Sequence, residues 1–161
     1  EIAKRHGLRI YDAMIVAAAL SGLLSRGVLL TTKNVERLLS IVDAPAFPTE
    51  TKERAVFVLW SNPGEVSKAE LRTALVGRLN SNNSGTKIAA ILGTGIYGNT
   101  HDVRLLMPLL DSSEDLIKHR TDTALATLTG VISSHSAGDI GEAVAQRKEW
   151  WAEHSSDPKF R

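Results

Sequence analysis

The chain has 161 residues, 43% hydrophobic, 23% charged and 5% aromatic, with 19 Lys and Arg against 18 Asp and Glu for a formal net charge of +1. That length and composition fit one folded domain or one compact repeat array and argue against intrinsic disorder. The absence of cysteine excludes a disulfide scaffold, a thiolate zinc site and a cysteine nucleophile, and the near-zero charge gives no basic footprint for nucleic acid.

The first apolar segment runs through Leu8, Tyr11, Ile15, Ala18, Ala19 and Leu23 at three- and four-residue steps, which predicts a helix that Gly27 stops. Its densest run, Ala13 to Leu20, falls well short of the ~18 residues that span a membrane. The chain opens at Glu1 without Met or a leader, so a fragment or processed product is expected. Thr31 or Thr32 caps the next helix, with Val35, Leu38, Leu39 and Val42 on its apolar side. Pro45 and Pro48 break the pattern. Thr49 starts a third helix, which carries Ala55, Val58 and Leu59 to Trp60, and Ser61 to Gly64 is a turn.

Ser67 with Glu70 three residues on is a capping box ahead of Leu71, Leu75 and Leu79. Asn80 to Gly85 reads as a loop, followed by apolar segments at Ile88 to Tyr97, Val103 to Leu110 and Leu116 to Leu128. Ser133 to Gly138 is a second loop before a last helix from Ile140 to His154. Strand alternation is nearly absent. The expectation is an all-α chain of about eight to ten helices, each roughly 10–18 residues long, with short connections.

The chain also repeats. Ala19-Leu-Ser-Gly-Leu23, Ala55-Val-Phe-Val-Leu59, Ala90-Ile-Leu-Gly-Thr94 and Ala124-Leu-Ala-Thr-Leu128 align, their alanines 36, 35 and 34 residues apart. Basic residues precede three of them: Lys52 and Arg54, Lys87, and Arg120. Before these come aliphatic helices ending at Asp43, Asn80 and Asp111. One helix pair cannot bury its own apolar face, so copies must stack.

These units resemble HEAT or HEAT-like repeats: an aliphatic helix, Asp, then a basic-x-x-Ala helix. The resemblance is best over residues 35–131. It implies a right-handed α-α superhelix of about four hairpins: a degenerate unit at 1–30, repeats at 31–64, 65–99 and 100–131, and a cap at 132–161. It also implies an inter-repeat polar ladder through Asp43, Arg54, Lys87, Asp111 and Arg120, with Asn80 a departure from the usual Asp. Arg147-Lys-Glu-Trp150-Trp151 is similar to the tail after many such arrays, where paired tryptophans cover the last repeat. The tetratricopeptide pattern of Trp, Leu-Gly, Tyr and Pro is missing despite its similar period.

Three constellations bear on chemistry. Gly93-Thr-Gly95-Ile-Tyr-Gly98 satisfies the dinucleotide fingerprint, but Asn99 to Asp102 is loop-like where a helix should open. The segment His6 to Leu20 resembles the PIN-nuclease helix that carries an acidic metal ligand, which would make Asp12 that ligand. The other carboxylates of such a centre lie upstream in that family, so an inactive relic is the most it implies. The histidines at 6, 101, 119, 135 and 154 form no metal-binding pair, and no nucleophile elbow accompanies them.

The reading is therefore a non-catalytic interaction module with no metal and no cofactor, for a protein or peptide partner. Trp60, Tyr97, Trp150 and Trp151 are the candidate anchors, as the few aromatics near helix ends. Nucleic acid is not expected, although Arg72, Arg78, Lys87, Arg104 and Arg120 would bind it if they clustered. An accessory-subunit or lyase role is the other alternative. Oligomerisation through an uncapped end is allowed.

Overall fold

A computed structural model describes residue 22 and residues 30–61, 64–133 and 140–160, and among these the regular structure is entirely helical. The proposed first unit at 1–30, with His6 and Asp12, and the loop holding His135 lie outside the described residues, apart from Gly22 and Leu30.

Helix α1 (Thr32–Asp43) starts where the Thr31 hydroxyl accepts from the Asn34 amide, and it buries Val35, Leu38, Ile41 and Val42 along one stripe. Pro45 and Pro48 separate it from α2 (Thr49–Ser61). Helix α3 (Lys68–Val76) opens on a reciprocal capping box: the Ser67 hydroxyl accepts from the Glu70 amide, and the Glu70 carboxylate accepts from the Ser67 amide at 2.9 Å. Helix α4 (Ser84–Tyr97) begins earlier than the loop-like composition of 80–85 suggested. The Asn83 side chain caps it by accepting from the Thr86 amide at 2.9 Å, so Ser84 and Gly85 belong to its first turn.

The segment expected to be one helix over Val103–Leu110 is broken. A 3-10 turn at Thr100–Asp102 leads into the four-residue α5 (Val103–Leu106), and Met107–Asp111 is again 3-10. Pro108 lacks the amide hydrogen that a continuing α-helix would use. Helix α6 (Asp115–Thr129) ends on Gly130, whose φ of 73° is the left-handed turn that glycine accepts most readily. Helix α7 (Ile140–His154) and a 3-10 turn at Pro158–Phe160 close the description. Among the described residues, five of seven α-helices thus have the expected length, while α3 and α5 are shorter.

The elements form successive hairpins: α1 packs on α2, α3 on α4, and the 103–111 segment on α6. Their second helices lie side by side, with α2 against α4, α4 against α6 and α6 against α7. Helix α4 belongs to both halves of the core. Its Ala89 and Tyr97 join Leu38, Leu59 and Leu71, whereas its Ile88, Ala90 and Ile91 join Leu106, Leu110 and Leu125. No described helix is long and apolar enough to cross a membrane.

Gly93 and Gly95 of the fingerprint-like run sit inside α4 and Gly98 caps its C-terminus, so no strand precedes them and no helix opens at Gly95. Their work is steric. A Cβ on Gly93 would meet Leu75 Cδ1 at 2.5 Å, and one on Gly95 would meet Cα and Cβ of Ala124 at 3.0 Å. The missing side chains let α4 approach α3 on one side and α6 on the other. Gly95→Val is expected to destabilise the fold by about 1–3 kcal/mol, because overpacking outweighs the gain in helix propensity of under ~1 kcal/mol. Urea unfolding followed by circular dichroism checks this, and an unchanged or raised midpoint would mean that α4 and α6 are not in contact at Gly95.

Candidate functional site

Polar bonds one hairpin apart tie the stack. The Arg78 guanidinium forks onto Asp43, Nε to Oδ1 and Nη2 to Oδ2, both at 2.6 Å and 35 residues apart. Arg72 forks onto Asp102 at 2.7 and 2.5 Å, 30 residues apart. Asp102 is fully buried, and its Oδ2 also accepts from the Asn99 amide. Lys148 pairs with Asp111, 37 residues away. At the last step Arg147 Nε donates to Asp122 Oδ1 at 2.9 Å, where Ser133 Oγ also donates at 2.8 Å. Arg147 Nη1 donates to the Val131 carbonyl, and its buried Nη2 stands 2.9 Å from Asp122 Oδ1 as an ion pair without a hydrogen bond of its own.

Lys52 makes the innermost rung. It is fully buried, and its Nζ donates to Asn83 Oδ1 and Thr86 Oγ1, both at 2.8 Å; Thr86 Oγ1 donates on to the Val42 carbonyl at 2.7 Å. Burial pushes its pKa below the ordinary 10.5, an effect that the Asp43 carboxylate partly opposes. In the window between the folded pKa and 10.5 the unfolded chain holds the extra proton, so Lys52 contributes more to stability as pH rises through it. The stability difference between wild type and Lys52→Met is therefore expected to be larger at about pH 10 than at about pH 8. Urea titrations at the two values read it, and a difference that shrank with pH would contradict this environment.

One bond has a different span. Arg120 on α6 donates from Nε to Glu53 Oε1 at 2.6 Å and from Nη2 to Glu53 Oε2 at 3.2 Å, 67 residues away on α2. Helix α4 packs between those two helices. The pair therefore joins the outer two across the middle one, and α2 and α6 approach each other on this side. Beyond it lies a cleft of about 70 Å³ lined by Leu92, Gly95 and Ile96 of α4 and by Arg120, Thr123 and Thr127 of α6. On α2, Phe57 and Trp60 are 45% and 56% exposed, with ring centroids 6.2 Å apart. Phe57 stands two residues past Ala55, as Leu92 stands two residues past Ala90.

Of the candidate anchors, Trp60 is exposed on α2. Tyr97 is not: it is buried in the first core cluster with its hydroxyl unpartnered, and burial pushes the phenol far above its usual range. Trp150 and Trp151 are half-buried against the second cluster, edge-on to Phe160 at 5.6 and 5.5 Å, and His154 stacks on Trp150 at 4.9 Å. Of the ladder candidates, Asp43, Asp111 and Arg120 are ion-paired, the last with a carboxylate two second helices away. Arg54 is exposed and Lys87 half-buried, and neither has a partner among the described residues. The rung at Arg54 is taken instead by Lys52. Lys87 has the same register as Lys52, but Ile117 and Arg120 stand 34 residues past Asn83 and Thr86, where acceptors are needed. Phe57, Glu53 and the Arg72–Asp102, Arg78–Asp43 and Arg147–Asp122 pairs were not singled out from sequence. The signal for the first two of these pairs is their spacing, close to one repeat length.

Among the described residues no three His, Asp or Glu side chains gather as a metal site. Comparison of the chain with protein-family models, with curated proteins and with solved structures finds no match.

Proposed function

We propose that this chain is a HEAT-like helical-repeat module, a right-handed stack of hairpins that binds a segment of another protein and performs no bond chemistry. Support for the repeat architecture comes from the 34–36-residue alanine register and from polar bonds at 30 to 37 residues. The observation that carries the binding reading is the exposed Phe57–Trp60 pair, one and two turns past the Arg120-bonded Glu53 on α2. Large aromatics left half in solvent supply contact area at low entropic cost and are the residue types that dominate binding energy. The nucleic-acid alternative loses support, because Arg72, Arg78 and Arg120 are each held by a carboxylate.

Random peptides displayed on phage and enriched on the folded chain test the reading. Trp60→Ala and Phe57→Ala are each expected to weaken the selected peptides by about 2 kcal/mol, near thirtyfold, with no loss of thermal stability. Selected peptides indifferent to both substitutions would place the interface elsewhere and refute this assignment.

A further inference from the structure

We propose that the partner held at Phe57 and Trp60 is a second copy of this chain, docked with α2 antiparallel to α2 about a two-fold axis; this rests on the binding reading above and names its partner. The outer stripe of α2 is Glu50, Arg54, Phe57 and Ser61, all exposed and spaced four, three and four residues apart, with exposed Trp60 beside it. Opposite charges therefore stand one turn apart, next to two aromatic rings. Neither Glu50 nor Arg54 is ion-paired among the described residues.

The loop that leads into α2 supplies the other half of the contact. Ala44-Pro-Ala-Phe-Pro48 carries no charge, and Pro45, Ala46 and Pro48 are exposed. Prolines fix the shape of such a segment before it binds, and aromatic side chains form the surface that receives it. Within one molecule the loop and the aromatics are held apart. They stand at opposite ends of α2, with Pro48 and Trp60 about 18 Å apart along its axis. An isologous contact makes every pairing twice. A two-fold axis at the level of Lys52 sets Glu50 against the partner's Arg54, and Arg54 against the partner's Glu50. Phe57 and Phe47 lie five residues to either side of Lys52. The axis that pairs the charges thus also brings the aromatics of each copy to the other's proline loop.

The stripe holds one charge of each sign, so a wholly acidic or wholly basic segment is attracted by one and opposed by the other, whereas a copy uses both. The contact is confined to one helix and one loop per copy, and small interfaces dissociate readily. A second copy therefore shields the aromatics until a tighter segment displaces it.

Sedimentation velocity over a range of concentrations tests the pairing. The wild-type chain is expected to pass from monomer to dimer as its concentration rises through the micromolar range. Trp60→Ala and Ala46→Asp, at opposite ends of the contact, are each expected to weaken the dimer by at least about tenfold. Glu50→Arg and Arg54→Glu each set like charges against each other across the axis. Each is expected to weaken self-association by at least about tenfold with the melting temperature unchanged. Mixed together, these two variants are expected to regain the dimer, since one presents two bases where the other presents two acids.

Charge-reversed variants that dimerise as well as wild type, or a mixture of the two that stays monomeric, overturn the two-fold pairing. A dimer indifferent to Trp60→Ala or to Ala46→Asp overturns it as well. A wild-type chain that stays monomeric at every concentration excludes a second copy as the partner. The binding reading is judged separately in that case, by whether the displayed peptides depend on Phe57 and Trp60.

Discussion

A helix packed against neighbours on several sides must shed side-chain bulk where it meets them, and α4 does so along most of its length. Ten of its residues are buried, among them Gly85, Ala89, Ala90, Gly93 and Gly95. Gly93 faces Leu75 and Gly95 faces Ala124 at distances that leave no room for a methyl group without displacement. Because α4 contributes to both core clusters, the two halves of the molecule are positioned through it. Close approach has a second consequence. A thin middle helix lets the second helices on either side of it come near enough for Arg120 to reach Glu53. Arg120 also lines the small cleft between α4 and α6.

Apolar packing fixes which faces meet but is tolerant of sliding. The polar bonds are directional and hold the hairpins in register. Arginine forks on Asp43 and Asp102, the Lys52–Asn83–Thr86 chain and the buried Arg147–Asp122 pair each bind one hairpin to the next. Paired groups in the interior are costly to break singly, whereas exposed pairs contribute little. The Arg147, Lys52 and Arg72–Asp102 rungs, each with a fully buried charged group, are therefore the ones with energetic weight, and the partly exposed Arg120–Glu53 pair acts mainly through geometry.

Local signals were legible in the sequence. The capping box at Ser67 and Glu70, the proline break after Asp43 and the final helix at Ile140 to His154 are written in adjacent residues, and each appears as read. The alanine register was legible because it recurs. The bonding partners were harder, since they depend on which side of a helix faces a neighbour. Lys52 and Arg54 are two residues and about 200° apart on α2, so only one of them can point into the stack. Similarly, Asn80 ends exposed in a turn, while the carboxylates of the rungs come from Asp43, Asp102 and Asp111. Phe57 stood out only as one member of the aligned Ala55–Leu59 block, and its exposure follows from the rotation of α2 that the packing of Val56, Val58 and Leu59 imposes.

The convergence of α2 and α6 across α4 rests on the Arg120–Glu53 pair, and the cysteine-free chain allows a direct test. Glu53→Cys and Arg120→Cys, combined and treated with a bismaleimide that spans about one helix diameter, replace the ion pair with a covalent one. The account predicts fast intramolecular crosslinking in the folded protein and little in urea, read by mass spectrometry of the peptides. A folded double variant that crosslinks only between molecules, or no faster than the unfolded chain, would contradict it.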